Sequence, residues 1–127
     1  MITIQQALRI HELQIKIHGG ASGIRDFALL EAAMAGPFST FDGIDLYPTS
    51  VEKAAAILES ILLNHPFVDG NKRTGYVLME LILRLDGLMV VLDLETQYTF
   101  TIQVAEGKLN IDQITKWLND HVTPFAP

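Results

Sequence analysis

Apolar residues recur at helical spacing along most of this chain. Ile4, Ala7, Leu8, His11 and Ile15 share one face of the first stretch, as the 3.6-residue period requires. Thr3, with Gln6 three residues on, forms a capping-box pattern at its start. His18-Gly19-Gly20 predicts its stop, because glycine takes the left-handed conformation of a helix C-terminus. After a short connector, Ala21 to Arg25, Asp26 predicts the N-cap of a helix through Met34 and Ala35 that Gly36-Pro37 ends. Pro37 to Pro48 (PFSTFDGIDLYP) is the longest irregular stretch. It reads either as a surface loop held down by Phe38, Phe41 and Tyr47 or as a flap over a site.

Thr49 and Glu52 open a further helix. That helix, Ser50 to Asn64 (SVEKAAAILESILLN), and the segment Tyr76 to Leu85 (YVLMELILRL) are apolar around most of their circumference. Such segments belong at the centre of a domain. Asp86-Gly87 stops the second of them. Leu88 to Leu92 (LMVVL) has the composition of a strand, but a lone strand has no partner, so it reads as a packed connector. Asp93 caps a helix to Glu106 that Gly107 ends, and Asn110 caps the last helix through Asn119, where Trp117 and Leu118 read as core anchors. Val122 to Pro127 reads as a loose tail. The sum is an all-α chain, a compact bundle of six helices in a single domain spanning residues 1–127.

Composition narrows the function. At 127 residues the chain is long enough for one real core. A formal charge of −6 with only nine basic residues argues against a nucleic-acid or polybasic membrane binder, since phosphate backbones need clustered cations. Without cysteine, disulfides and thiolate metal sites are excluded. Met1 to Gln5 lacks the basic and apolar regions of a signal peptide, and no apolar run reaches membrane-spanning length. A cytoplasmic protein is expected.

The chemistry concentrates in His65-Pro66-Phe67-Val68-Asp69-Gly70-Asn71-Lys72-Arg73, between the two most apolar helices. Asn71 to Thr74 opens a helix, where unpaired backbone N–H groups favour an anion. Gly70 lets the turn approach a ligand without a Cβ in the way. Lys72 and Arg73 oppose the helix dipole unless a polyanion neutralises them, and Arg73 can grip phosphate through two N–H bonds. Asp69, a single carboxylate, suits Mg²⁺ shared with substrate phosphates. The imidazole of His65 can take a proton from a hydroxyl. Base, metal carboxylate, anion seat and cationic clamp together describe phosphoryl or nucleotidyl transfer. Taken singly, each piece has a plainer reading: a histidine cap, an aspartate turn, a solvated Lys-Arg pair. Their convergence between two core helices makes chance a poor explanation. The stretch lacks the spacing of a Walker loop, and His11, His18 and His121 read as structural or exposed.

These nine residues resemble the Fic/Doc signature H-P-F-x-[D/E]-G-N-[G/K]-R, which specifies eight positions. Gly23-Ile24-Arg25-Asp26, Leu29-Leu30-Glu31, Asn64 and Ala105-Glu106-Gly107-Lys108 look like the small Doc (death-on-curing) branch. The resemblance implies a compact helical bundle. It would make His65 the general base, Asp69 the Mg²⁺ ligand, Asn71 the residue that positions the nucleotide, Arg73 the phosphate clamp and Gly70 part of the anion hole. Pro37 to Tyr47 falls where the family keeps its flap.

Lys72 decides the branch. AMP-transferring relatives have glycine there and a second arginine three residues after the first, where this chain has Tyr76. Doc-type toxins carry the lysine and transfer the γ-phosphate of ATP to a hydroxyl of a translation elongation factor. Pro66 and Gly70 match the AMP-transfer pattern, so a protein AMP-transferase is the second reading and a non-catalytic binding module the third. Self-inhibited relatives carry [S/T]-x-x-x-E-[G/N]; the one Glu-Gly here, Glu106-Gly107, has Ile102 at the first position. The resemblance therefore implies restraint by a separate antitoxin whose disordered tail folds into a groove.

Overall fold

The computed structural model describes residues 1–125. Its frame is six α-helices: α1 (Ile4–His18), α2 (Phe27–Ala35), α3 (Ser50–Asn64), α4 (Asn71–Leu85), α5 (Leu94–Ala105) and α6 (Ile111–His121). The caps are those the sequence marks. Thr3 and Gln6 bond reciprocally, Asp26 accepts from Leu29 N–H, Thr49 from Glu52 N–H, Asp93 from Thr96 N–H, and Asn110 forms a capping box with Gln113.

The antiparallel pair α3–α4 forms the spine. Leu58, Ile61 and Leu62 of α3 and Leu78, Met79 and Leu83 of α4 are fully buried. The two helices touch closely at Gly75, where an added Cβ would sit 2.5 Å from Leu62 Cδ1. α1 lies against α4, while α2, α5 and α6 pack on α3. At the far end Phe100, Trp117 and His121 stack in a column with centroid spacings of 3.6 and 3.9 Å, and Trp117 packs against the core as expected.

Two expectations need correction. Leu88–Val90 is a strand (β3), and the supposed loose tail supplies its partner, Val122–Pro124 (β4), antiparallel with Leu88 opposite Pro124 and Val90 opposite Val122. Phe125 N–H then bonds to Gly87 O at 2.7 Å, and its ring lies under the Arg84 guanidinium at 4.9 Å. The end of the expected tail, residues 126–127, lies outside the described residues.

The irregular stretch is also ordered. A short 3₁₀ turn (Gly36–Phe38) leads into a hairpin, Thr40–Phe41 (β1) against Ile44–Asp45 (β2). Asp42 and Gly43 take φ of 52° and 75°, the left-handed pair that a two-residue hairpin turn requires. Lys53 pins its base, bonding Asp45 at 3.3 Å and the Tyr47 carbonyl. Phe41 at the tip is 70% exposed, so its ring does not hold the loop down. Among the described residues no helix is long and apolar enough to cross a membrane.

Candidate active site

The turn from α3 to α4 is built on a left-handed residue. His65 closes α3 with φ 50° and ψ 62°, a conformation that costs a residue with a Cβ about 1–2 kcal/mol. Its N–H still reaches Ile61 O at 3.1 Å. Arg25 satisfies the carbonyls the helix end leaves open: Nε donates to His65 O and Nη2 to Asn64 O, both at 2.6 Å. A cation there also complements the negative end of the α3 dipole. The imidazole of His65 is left exposed.

The loop after His65 is templated by the connector between α1 and α2. Pro66 O accepts from Arg25 N–H (2.7 Å) and Asp26 N–H (3.0 Å). Ile24 pairs with Phe67 as an isolated antiparallel bridge, and Val68 N–H donates to Gly23 O at 3.0 Å. Asn71 closes the loop from the other side. Its Oδ1 accepts from Phe67 N–H and its Nδ2 donates to Phe67 O, each at 3.0 Å. The structure thus gives Asn71 a loop-closing job first, since both polar atoms already serve Phe67.

His11 supports the loop from beneath. It is 2% exposed, its ring stacks on the buried Phe67 ring at 3.9 Å, and its Nε2 lies 2.8 Å from Asp69 O. A carbonyl only accepts, so Nε2 carries the proton. His11 is structural, as its sequence context suggests, but what it supports is the site.

Asp69 has both carboxylate oxygens engaged by backbone: Oδ1 accepts from Gly70 N–H at 2.8 Å and Oδ2 from Ala21 N–H at 3.2 Å. These two bonds, first Ala21 and then Gly70, with a smaller pull from the Arg73 charge, hold its pKa below the ordinary carboxylate value. Hydrogen bonds to the charged form act in this direction. The side chain is exposed and ionised, with lone pairs left for an incoming cation. Among the described residues no three His, Asp or Glu side chains converge. A Mg²⁺ here would draw its remaining ligands from phosphate oxygens and water, which its octahedral chemistry favours.

Gly70, at φ 75°, begins α4 with no side-chain cap. The N–H groups of Asn71, Lys72 and Arg73 therefore lack intrahelical partners. Lys72 and Arg73 are both exposed, and neither forms an ion pair among the described residues. The helix end thus offers unpaired N–H groups that an anion could take, with two exposed cations beside it. His65, Asp69, Gly70, Lys72 and Arg73 thus belong to one short turn on one rigid frame.

Sequence reasoning missed the supporting shell: His11, Gly20, Ala21, Gly23 and Arg25. Two signals pointed to it. One is a histidine within the apolar stripe of α1, and the other is three glycines within five residues, Gly19 to Gly23. Gly20, at φ 115°, shows why glycine is needed, since a Cβ there would lie 2.7 Å from Asp69 Oδ2.

The profile of the Fic/DOC family matches residues 1–83. The chain belongs to the Fic/Doc family. That match runs from α1 nearly to the end of α4 and so includes every element of the site. Toxin Doc of Mycolicibacterium smegmatis (strain ATCC 700084 / mc(2)155) is 40% identical over 92 residues, 72% of this chain and 66% of that protein. This chain thus spans just under two thirds of the length of the curated relative it matches.

Proposed function

We propose that this chain is the toxin of a toxin–antitoxin pair, a Mg²⁺-dependent protein kinase that transfers the γ-phosphate of ATP to a Ser or Thr hydroxyl of a translation elongation factor. The Fic/Doc membership and the likeness to a Doc toxin support the toxin class. The observation that carries the choice of phosphate is Lys72 at the open end of α4, with Tyr76 buried (4% exposed) one turn on. A lysine side chain there would crowd the space that a glycine would leave for the α- and β-phosphates, and Tyr76 stands where a second arginine would follow Arg73.

In this reading Arg73, Lys72 and the free N–H groups of α4 bind the triphosphate and offset charge that develops on it. His65 takes the proton from the acceptor hydroxyl. The hydroxyl oxygen bonds to the γ-phosphorus as the bond to the β–γ bridging oxygen breaks, and ADP leaves with that electron pair. Asp69 would hold Mg²⁺, which neutralises phosphate charge and fixes its geometry. The exposed edge of the β1–β2 hairpin suits an extended target segment passing His65. An antitoxin with a disordered tail would restrain the enzyme in the cytoplasm.

Gly70 favours a second reading, AMP transfer, because its bare backbone leaves the α4 N-terminus open to a second phosphate. One incubation with a translation-competent extract separates the two. Label retained from γ-labelled ATP is the expected outcome, and label retained from α-labelled ATP alone would establish AMP transfer instead. Transfer by neither, with His65→Ala as toxic as wild type, would leave a binding module.

A further inference from the structure

Beside the last two turns of α3 lies a cavity of about 230 Å³, bounded by Pro37, Tyr47, Ala56, Glu59, Leu63 and Asn64. Its walls are polar and apolar in about equal measure, with one carboxylate. Glu59 is half-buried and has no hydrogen-bond or ion-pair partner among the described residues. Desolvation pushes its pKa up, and no cation opposes that. Glu80, similarly desolvated, differs in having Arg84 to pull the other way. A half-buried carboxylate without a partner is destabilising, and such groups cluster where a ligand completes them.

The position of the cavity says which ligand. Asn64 lines it and directly precedes His65, while Tyr47 lies just past β2. A target segment lying along the hairpin with its hydroxyl at His65 would carry a neighbouring side chain over the opening.

We propose that this cavity is a recognition pocket for a lysine or arginine side chain flanking the acceptor hydroxyl of the target. The apolar stem would lie on Pro37, Ala56 and Leu63, and the cationic head would pair with Glu59, the division such side chains favour. The proposal deepens the protein-kinase reading and rests on it for the placement of the acceptor.

The test uses the full chain and fluorescently labelled, acetylated hexapeptides with one Thr flanked by Arg, Gln or Glu. Anisotropy reads binding without chemistry. Wild type should bind the Arg peptide roughly tenfold more tightly than the Gln peptide, as a partly desolvated charge pair implies. Glu59→Gln should abolish that preference, and Glu59→Lys should turn it toward the Glu peptide. Circular dichroism checks that both variants fold. Equal affinities, no binding of any peptide, or an Arg preference that survives Glu59→Gln overturns the pocket. Adding γ-labelled ATP keeps the two readings apart. A Glu59-dependent Arg preference without transfer sinks the kinase and leaves the pocket, whereas transfer indifferent to the flanking residue sinks the pocket alone.

Discussion

Removing the proposed base should make the protein more stable, provided the replacement is glycine. His65 holds φ 50°, and a Cβ in the left-handed region costs about 1–2 kcal/mol. Glycine escapes that cost but gives back about 0.4–1 kcal/mol through the greater freedom of the unfolded chain. The net gain of His65→Gly over His65→Ala is therefore about 1 kcal/mol. Alanine retains the Cβ and serves as the control for loss of the ring, which is exposed in either case. For 127 residues, an unfolding entropy of about 2.1 cal/mol/K per residue gives about 0.27 kcal/mol/K, so the gain is worth about 4 °C in Tm. Both variants should lose transfer and retain ATP binding, since Arg73 and the α4 N-terminus are untouched. Thermal melts by circular dichroism and labelled-nucleotide binding provide the two measurements. An alanine variant as stable as the glycine variant would refute the claim that the turn stores strain at its functional residue. A large loss of ATP affinity in either would refute the division of roles.

The remaining tests address the shell around Asp69 and the core beneath it. His11→Gln retains a donor for Asp69 O and should preserve much of the transfer. His11→Phe retains the ring stack but no donor, and should lower kcat while shifting the Gly70 and Ala21 amide resonances; the reverse ranking would make His11 a packing residue only. Gly20→Ala places a Cβ 2.7 Å from Asp69 Oδ2, so it should abolish transfer and return the Asp69 pKa to the ordinary range, as read by carboxyl carbon shifts. The depressed pKa of Asp69 contributes stability that is present above the ordinary value of 3.8 and lost as pH falls through the folded value. The stability advantage of wild type over Asp69→Asn should accordingly be greatest near neutrality and vanish in acid, and an advantage independent of pH would contradict the assigned bonds. Thr74 has a fully buried hydroxyl without a partner among the described residues. Thr74→Val should raise stability by about 1 kcal/mol, and a clear fall in Tm would show that the hydroxyl is satisfied.

Local information was legible because it repeats within a few residues. The helix starts at Thr3, Asp26, Thr49, Asp93 and Asn110 follow from one side chain meeting one N–H three residues on. The burial of α3 and α4 follows from side chains that are apolar on all sides. The residues from His65 to Arg73 carry the family signature in type and order alone, and the family match bears out the membership and the fold they suggest.

Tertiary structure decided what depends on backbone groups far apart in the chain. Leu88–Val90 became a strand only because Val122–Pro124 returns to pair with it, and a partner so distant leaves no mark on the local pattern. The connector Ala21–Arg25 looked like a plain link because, apart from the Arg25 guanidinium, it shapes the turn through its backbone N–H and C=O groups. His11 reads as one more member of a helical stripe until the fold sets its Nε2 against Asp69 O. Side-chain periodicity records which face of an element is buried. Hydrogen bonds between distant backbone segments have no side-chain signature, so only the folded chain shows where they close.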